Sequence, residues 1–155
     1  MSRFVATLET GKTLPASPKK ILVPVDFSEE SAAALRYATT LAQQSGSAID
    51  VIHVWDSSSY ANAETVGSIH DRAAETLQSF LAPFSRNPGI SGNVTSGDPG
   101  RVVSSLSSGY DLIVMGRKAQ ESATEVMVGS VARQVLADAK CPVLTVVETP
   151  DGHPA

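Results

Sequence analysis

The chain is predicted to fold as one α/β domain built on a parallel sheet with helices on both faces. Short apolar runs alternate with segments of helical periodicity about five times along the chain. Most of these runs are near-continuous in Val, Ile and Leu, as strands buried on both faces require. The length of 155 residues, 42% hydrophobic and 18% charged, fits one domain with a sizeable core.

Residues 1–18 contain Gly11, Pro15 and Pro18 without a sustained period and read as an N-terminal extension, with Phe4–Leu8 as a short added strand. The domain proper is expected over residues 19–148, with a frayed tail over 149–155. Ile21–Asp26 is a first buried strand, and Pro24 inside it points to a strand end, since proline donates no ladder bond. Ser28 is a helix N-cap, Glu29 and Glu30 suit the positive end of the dipole, and Gly46 closes the helix. Ile49–Trp55 is the second strand. A second helix opens near Asn62–Thr65 and carries the stripe Val66, Ile69, Ala73, Leu77, Phe80, Leu81 and Phe84, with Pro83 ending or kinking it. Ile90–Ser96 is a weak third strand, followed by the cap Asp98 and Pro99 at the first helical position. Asp111–Gly116 is the fourth strand, a helix runs from about Gly129, and Cys141–Val147 is the fifth.

Composition excludes several classes. A net charge of −4 argues against a nucleic-acid binder, whose affinity rests on clustered Lys and Arg, and the absence of any run of five or more like charges argues against a charged tail. Cys141 is the single cysteine, so neither an intramolecular disulfide nor a thiolate cluster can form within one chain. No 18-residue apolar span and no basic-then-apolar N-terminus occur, so the expectation is a soluble, cytoplasmic protein with no membrane partner.

Ligands of open parallel sheets sit beyond the carboxyl ends of the strands, where strand order reverses. Three ends are equipped for this: Val25-Asp26-Phe27-Ser28, Val54-Trp55, and Met115-Gly116 with the loop to Gly129-Ser130. Asp26 suits ribose hydroxyls or an adenine amino group, and equally suits an acidic turn that starts the next helix. The N–H groups opened by Gly129-Ser130 favour an anion, although both residues are common helix starters. No Gly-Lys-Ser/Thr run exists, so this is not a P-loop. His53 lies mid-strand without an assignable acidic partner and reads as a satisfied, half-buried histidine. His70 and His153 do not fall at ligand spacing, so no metal site is expected. Cys141 beside Pro142 reads as a buried, inert thiol. Trp55 and Tyr60 are either pocket walls or packing residues.

Several ordered segments resemble the universal stress protein family. They are Ile21-Leu22-Val23-Pro24-Val25-Asp26-Phe27-Ser28, Val51-Ile52-His53-Val54, Gly97-Asp98-Pro99, Tyr110-Asp111-Leu112-Ile113-Val114-Met115-Gly116, Val128-Gly129-Ser130-Val131-Ala132, and Cys141-Pro142-Val143-Leu144-Thr145-Val146-Val147. The resemblance runs from about Lys20 to Glu148. It implies an open, Rossmann-like five-stranded sheet in the order 3-2-1-4-5, of the adenine-nucleotide α-hydrolase type, and a homodimer through the last strand, Val143–Val147. Some members bind ATP through a Gly, two residues, a second Gly, nine residues, then Gly-Ser or Gly-Thr. Here Gly116 opens that pattern and Gly129-Ser130 closes it at the right length, with Ala119 in place of the second Gly. By the resemblance, Pro24, Val25, Asp26 and Val54 would meet adenosine. Met115, Gly116, Ala119, Gly129, Ser130 and Val131 would line the phosphate side, with Mg²⁺ as a companion. Glu121 and Glu125 in the spacer oppose phosphate, and Arg117 and Lys118 partly offset them.

Three functions compete: a nucleotide-binding stress-response module, an interaction module of the same fold without nucleotide, and a weak ATPase. No base and nucleophile constellation stands out, so the ATPase is the least favoured.

Overall fold

A computed structural model describes residues 2–9, 12–56, 58, 63–117 and 129–150. The strands are β1 (Ser2–Leu8), β2 (Lys20–Pro24), β3 (Ala48–Trp55), β4 (Ile90–Ser96), β5 (Leu112–Gly116) and β6 (Val143–Pro150). The helices are α1 (Glu29–Ser45), α2 (Ala63–Leu81), α3 (Pro99–Leu106) and α4 (Ser130–Asp138).

Local chemistry sets most boundaries. β2 stops at Pro24, two residues short of the predicted end, and the Val25 amide makes one more bond to the Ile52 carbonyl at 2.8 Å. Ser28, extended at φ −77° and ψ 164°, caps α1 by accepting the Ser31 amide at 3.2 Å. Gly46, left-handed at φ 74°, ends α1 with its amide on the Ala42 carbonyl. Asp98 caps α3 through the Arg101 amide, and Pro99 occupies the first helical position. α2 gives way at Leu81 to a 3₁₀ turn over Ala82–Phe84, where Pro83 cannot extend the α-helical ladder. Asp111 accepts the Lys19 and Lys20 amides at 2.9 and 3.0 Å, which sets the start of β2 against β5.

The sheet has six strands in the order β1-β6-β5-β2-β3-β4. β2 through β6 pair in parallel and give the expected 3-2-1-4-5 order when counted from β2. The chain leaves β2 toward β3 and β4, then returns to β5 and β6 on the other side. The switch point therefore lies between β2 and β5. α1 and α2 cover one face, where Ala34, Leu35, Ala38 and Leu77 meet Val23, Val51, Val114 and Val146. α3 and α4 cover the other, where Val103 and Val135 meet Leu22, Ile52, Ile113 and Val143. No described helix is long and apolar enough to cross a membrane.

The sixth strand corrects two expectations. β1 covers seven positions, beyond the short strand expected, and lies antiparallel on β6 from Ser2↔Pro150 to Leu8↔Leu144. The edge of Val143–Val147, expected to be open to a second copy, is thus taken by the chain's own N-terminus. The physical reason is that an edge strand with five buried residues leaves a row of amides and carbonyls that needs a partner, and β1 supplies it.

Candidate functional site

Beyond Pro24 the chain turns sharply. The Asp26 Oδ1 accepts the Ser28 amide at 3.0 Å and also the Ser28 hydroxyl, forming an Asx-type turn that feeds the helix cap. Burial on its own would raise the Asp26 pKa, but these bonds, with smaller help from Ser31, outweigh it and hold the carboxyl below its ordinary value. Asp26 is exposed, so its charge also faces solvent. The turn reading of Asp26 is thus met by its bonds to Ser28, and its carboxylate stands exposed at a strand end.

Between Asp26 and Ser28, Phe27 adopts φ 66°, a left-handed conformation unusual for a residue with a Cβ. Its ring lies 4.2 Å from the His53 ring and edge-on to Phe80 at 5.7 Å. The Val25 carbonyl can only accept, so His53 donates to it from Nδ1–H at 2.8 Å. This is the satisfied histidine that the sequence suggested. Trp55, at the end of β3, is buried and donates its indole N–H to His70 Nδ1 at 3.3 Å. Phe27 is a residue that sequence reasoning passed over; the signal was an aromatic wedged between a strand end and a helix cap. Tyr60 lies outside the described residues.

On the opposite face, Val54 and Met115 are buried in one apolar cluster, and Val131 of α4 packs against it. Val25 belongs to the cluster on the α1 face. Gly116 ends β5 beside the start of α1. A Cβ there would lie 2.2 Å from the Glu30 carbonyl oxygen, so the glycine serves close helix–strand packing as well as any ligand role. Gly129 is the N-cap of α4 at φ −60°, and among the described residues it has no side-chain cap bond and nothing within 4 Å of where a Cβ would stand. Its carbonyl accepts the Arg133 amide at 2.9 Å. The amides of Ser130, Val131 and Ala132, at the positive end of the α4 dipole, have no partner among the described residues. Ala119 and the spacer Gln120–Val128 lie outside the described residues. Among the described residues no group of His, Cys, Asp and Glu is arranged to hold a metal. Cys141 is buried, and that burial pushes its thiol pKa up, consistent with an inert role.

A doubly wound, mostly parallel sheet covered by helices on both faces places the protein in the Rossmann-like class of α/β folds. Residues 18–147 match the model of the universal stress protein family, and the chain belongs to that family. A universal stress protein of Methanocaldococcus jannaschii is 29% identical over 138 residues, covering 83% of this chain and 81% of that one. Among solved structures, UspA from Lactobacillus plantarum aligns with a TM-score of 0.67 at 26% identity, covering 86% of this chain and 100% of that one. A universal stress protein solved in complex with cAMP aligns with a TM-score of 0.56 at 20% identity, covering 84% and 97%.

Proposed function

We propose that this protein is a cytoplasmic stress-response module that binds an adenine nucleotide weakly at the β2–β5 switch point and works as a homodimer. The observation that carries the reading is the start of α4: the amides of Ser130, Val131 and Ala132 have no partner among the described residues, and Gly129-Ser130 stands at the family's spacing from Gly116. Asp26, with Pro24, Val25 and Val54 around the neighbouring strand ends, would take the adenosine. Met115, Gly116, Ala119, Gly129, Ser130 and Val131 would take the phosphate side. No described residue lies within 4 Å of where a Cβ of Gly129 would stand, which fits a bulky anion there. Mg²⁺ would be held by the phosphates, with no step of chemistry assigned to it. A family neighbour solved with cAMP supports an adenine nucleotide as the class of ligand.

One observation favours the second reading, an interaction module without nucleotide. Asp26 Oδ1 is already satisfied by Ser28, and the glycine at 116 is explained by packing against Glu30. Two measurements separate the readings. Mass spectrometry of ligand released from freshly purified protein should find an adenine nucleotide, and calorimetric titration with ATP and Mg²⁺ should give saturable heat. No released nucleotide and no heat would leave the interaction module standing.

A further inference from the structure

We propose that β1 is an exchangeable strand: the outer edge of β6 is covered either by β1 of the same chain or by β1 of a second copy. Reciprocal exchange builds the dimer. The inference rests on the paired-copy part of the reading above and names its surface.

The need for a cover is strong and its side-chain anchorage is weak. Val143 to Val147 are all buried, whereas none of Phe4 to Leu8 is. Phe4 and Ala6 are half-buried against the α1 face, Phe4 with its ring edge toward Tyr37 at 6.0 Å, and Val5 and Leu8 are exposed. β1 is held chiefly by seven backbone register pairs, and the identical strand of another copy reproduces every one of them.

The connection is built as a hinge. Lys12 is tied by its Nζ to the Ala139 carbonyl at 3.0 Å, and Pro18 is buried with its carbonyl accepting Ser47 Oγ. Between them, residues 13–17 make no hydrogen bond to any described residue. β1 runs opposite to β2, so in one chain this connection must reverse direction. Pro15 and Pro18 push Leu14 and Ser17 toward extended backbone, which opposes reversal and favours reaching outward. Val5, Leu8 and Leu14 are three of the four exposed large hydrophobics among the described residues, so the arm carries apolar surface that a second arm would cover.

Disulfide trapping tests this. The Glu9 amide bonds the Val143 carbonyl, so Ala6 and Val146 fall at a non-hydrogen-bonded pair. Such pairs sit about 4.5 Å apart at Cα, within disulfide reach. Protein carrying Ala6→Cys and Val146→Cys is refolded concentrated and at about a hundredfold dilution, oxidised, and sized by light scattering and non-reducing gel. Exchange predicts covalent dimers in the concentrated sample, severalfold fewer on dilution. A dimer in solution whose disulfides are all within single chains overturns exchange while leaving pairing through another surface. A monomer at both concentrations overturns exchange and pairing together. Leu8→Cys with Leu144→Cys, at the same kind of pair, repeats the test if the first variant does not fold.

Discussion

Replacing Gly116 with alanine should destabilise the protein before it touches any ligand. A Cβ at this position would stand 2.2 Å from the Glu30 carbonyl oxygen, 2.4 Å from its carbonyl carbon and 2.9 Å from the Ser31 amide nitrogen. All three are backbone atoms in the first turn of α1, which the Ser28 cap holds in place, so no side chain can swing aside. Overpacking a core costs about 1–3 kcal/mol, and a clash with backbone belongs near the upper end. For a chain of this size, ~3 kcal/mol lowers Tm by about 6–12 °C. Gly129→Ala is the control: no described residue lies within 4 Å of the added Cβ, and only a cap preference of about 1 kcal/mol or less is lost. Thermal and urea unfolding followed by circular dichroism would measure both variants. A Gly116→Ala protein as stable as the wild type would refute the packing argument, because it would mean the α1 start yields freely. The requirement for glycine would then have to come from a ligand.

Asp26→Ala should weaken ATP binding by about tenfold or more, since a hydrogen bond to a charged group contributes ~1.5–3 kcal/mol; equal titration heats would reduce Asp26 to a turn residue. The lowered Asp26 pKa also implies stability that is present above its ordinary value of 3.8 and lost as pH falls through the folded value. Acid unfolding of Asp26→Asn, followed by fluorescence, should therefore be less steep below about pH 4 than that of the wild type. Tyr110, which donates to Asp50 at 2.7 Å, has its pKa pushed up to about 12 by burial, then by that bond and the Asp50 charge. Its contribution is complete below the ordinary value of 10.0 and fades as pH rises toward 12, so Tyr110→Phe should flatten the alkaline limb of a stability profile. A glycine at position 119 would allow either a positive φ or close approach of phosphate to the backbone; if a left-handed cost of ~1–2 kcal/mol falls on the bound form, Ala119→Gly should tighten ATP about five- to thirtyfold and more than it tightens AMP, and equal gains for both nucleotides, or none, would sink that role for Ala119.

Much of the fold was legible in local signals. The Ser28 and Asp98 caps, the Gly46 stop and the proline end of β2 each act through bonds a few residues long, so the residues that make them sit together in the chain. The buried strands announced themselves by apolar runs, and the family resemblance supplied their order. The candidate site was legible only as residue types at strand ends. What lay hidden was which atoms those residues would meet. Phe27 is left-handed and its ring lies against His53, a residue of another strand. Gly100 is glycine because α4 brings Gln134 to within 2.5 Å of where a Cβ would be. Sequence alone therefore determined the alternation of strands and helices, their caps and the layered architecture, since periodicity and capping are short-range physics. Only the tertiary structure decided that Gly116 abuts the start of α1 and that residues 2–8 close the edge of β6. Both depend on backbone segments far apart in the chain meeting at the sheet, and nothing in either segment encodes its partner until the sheet exists.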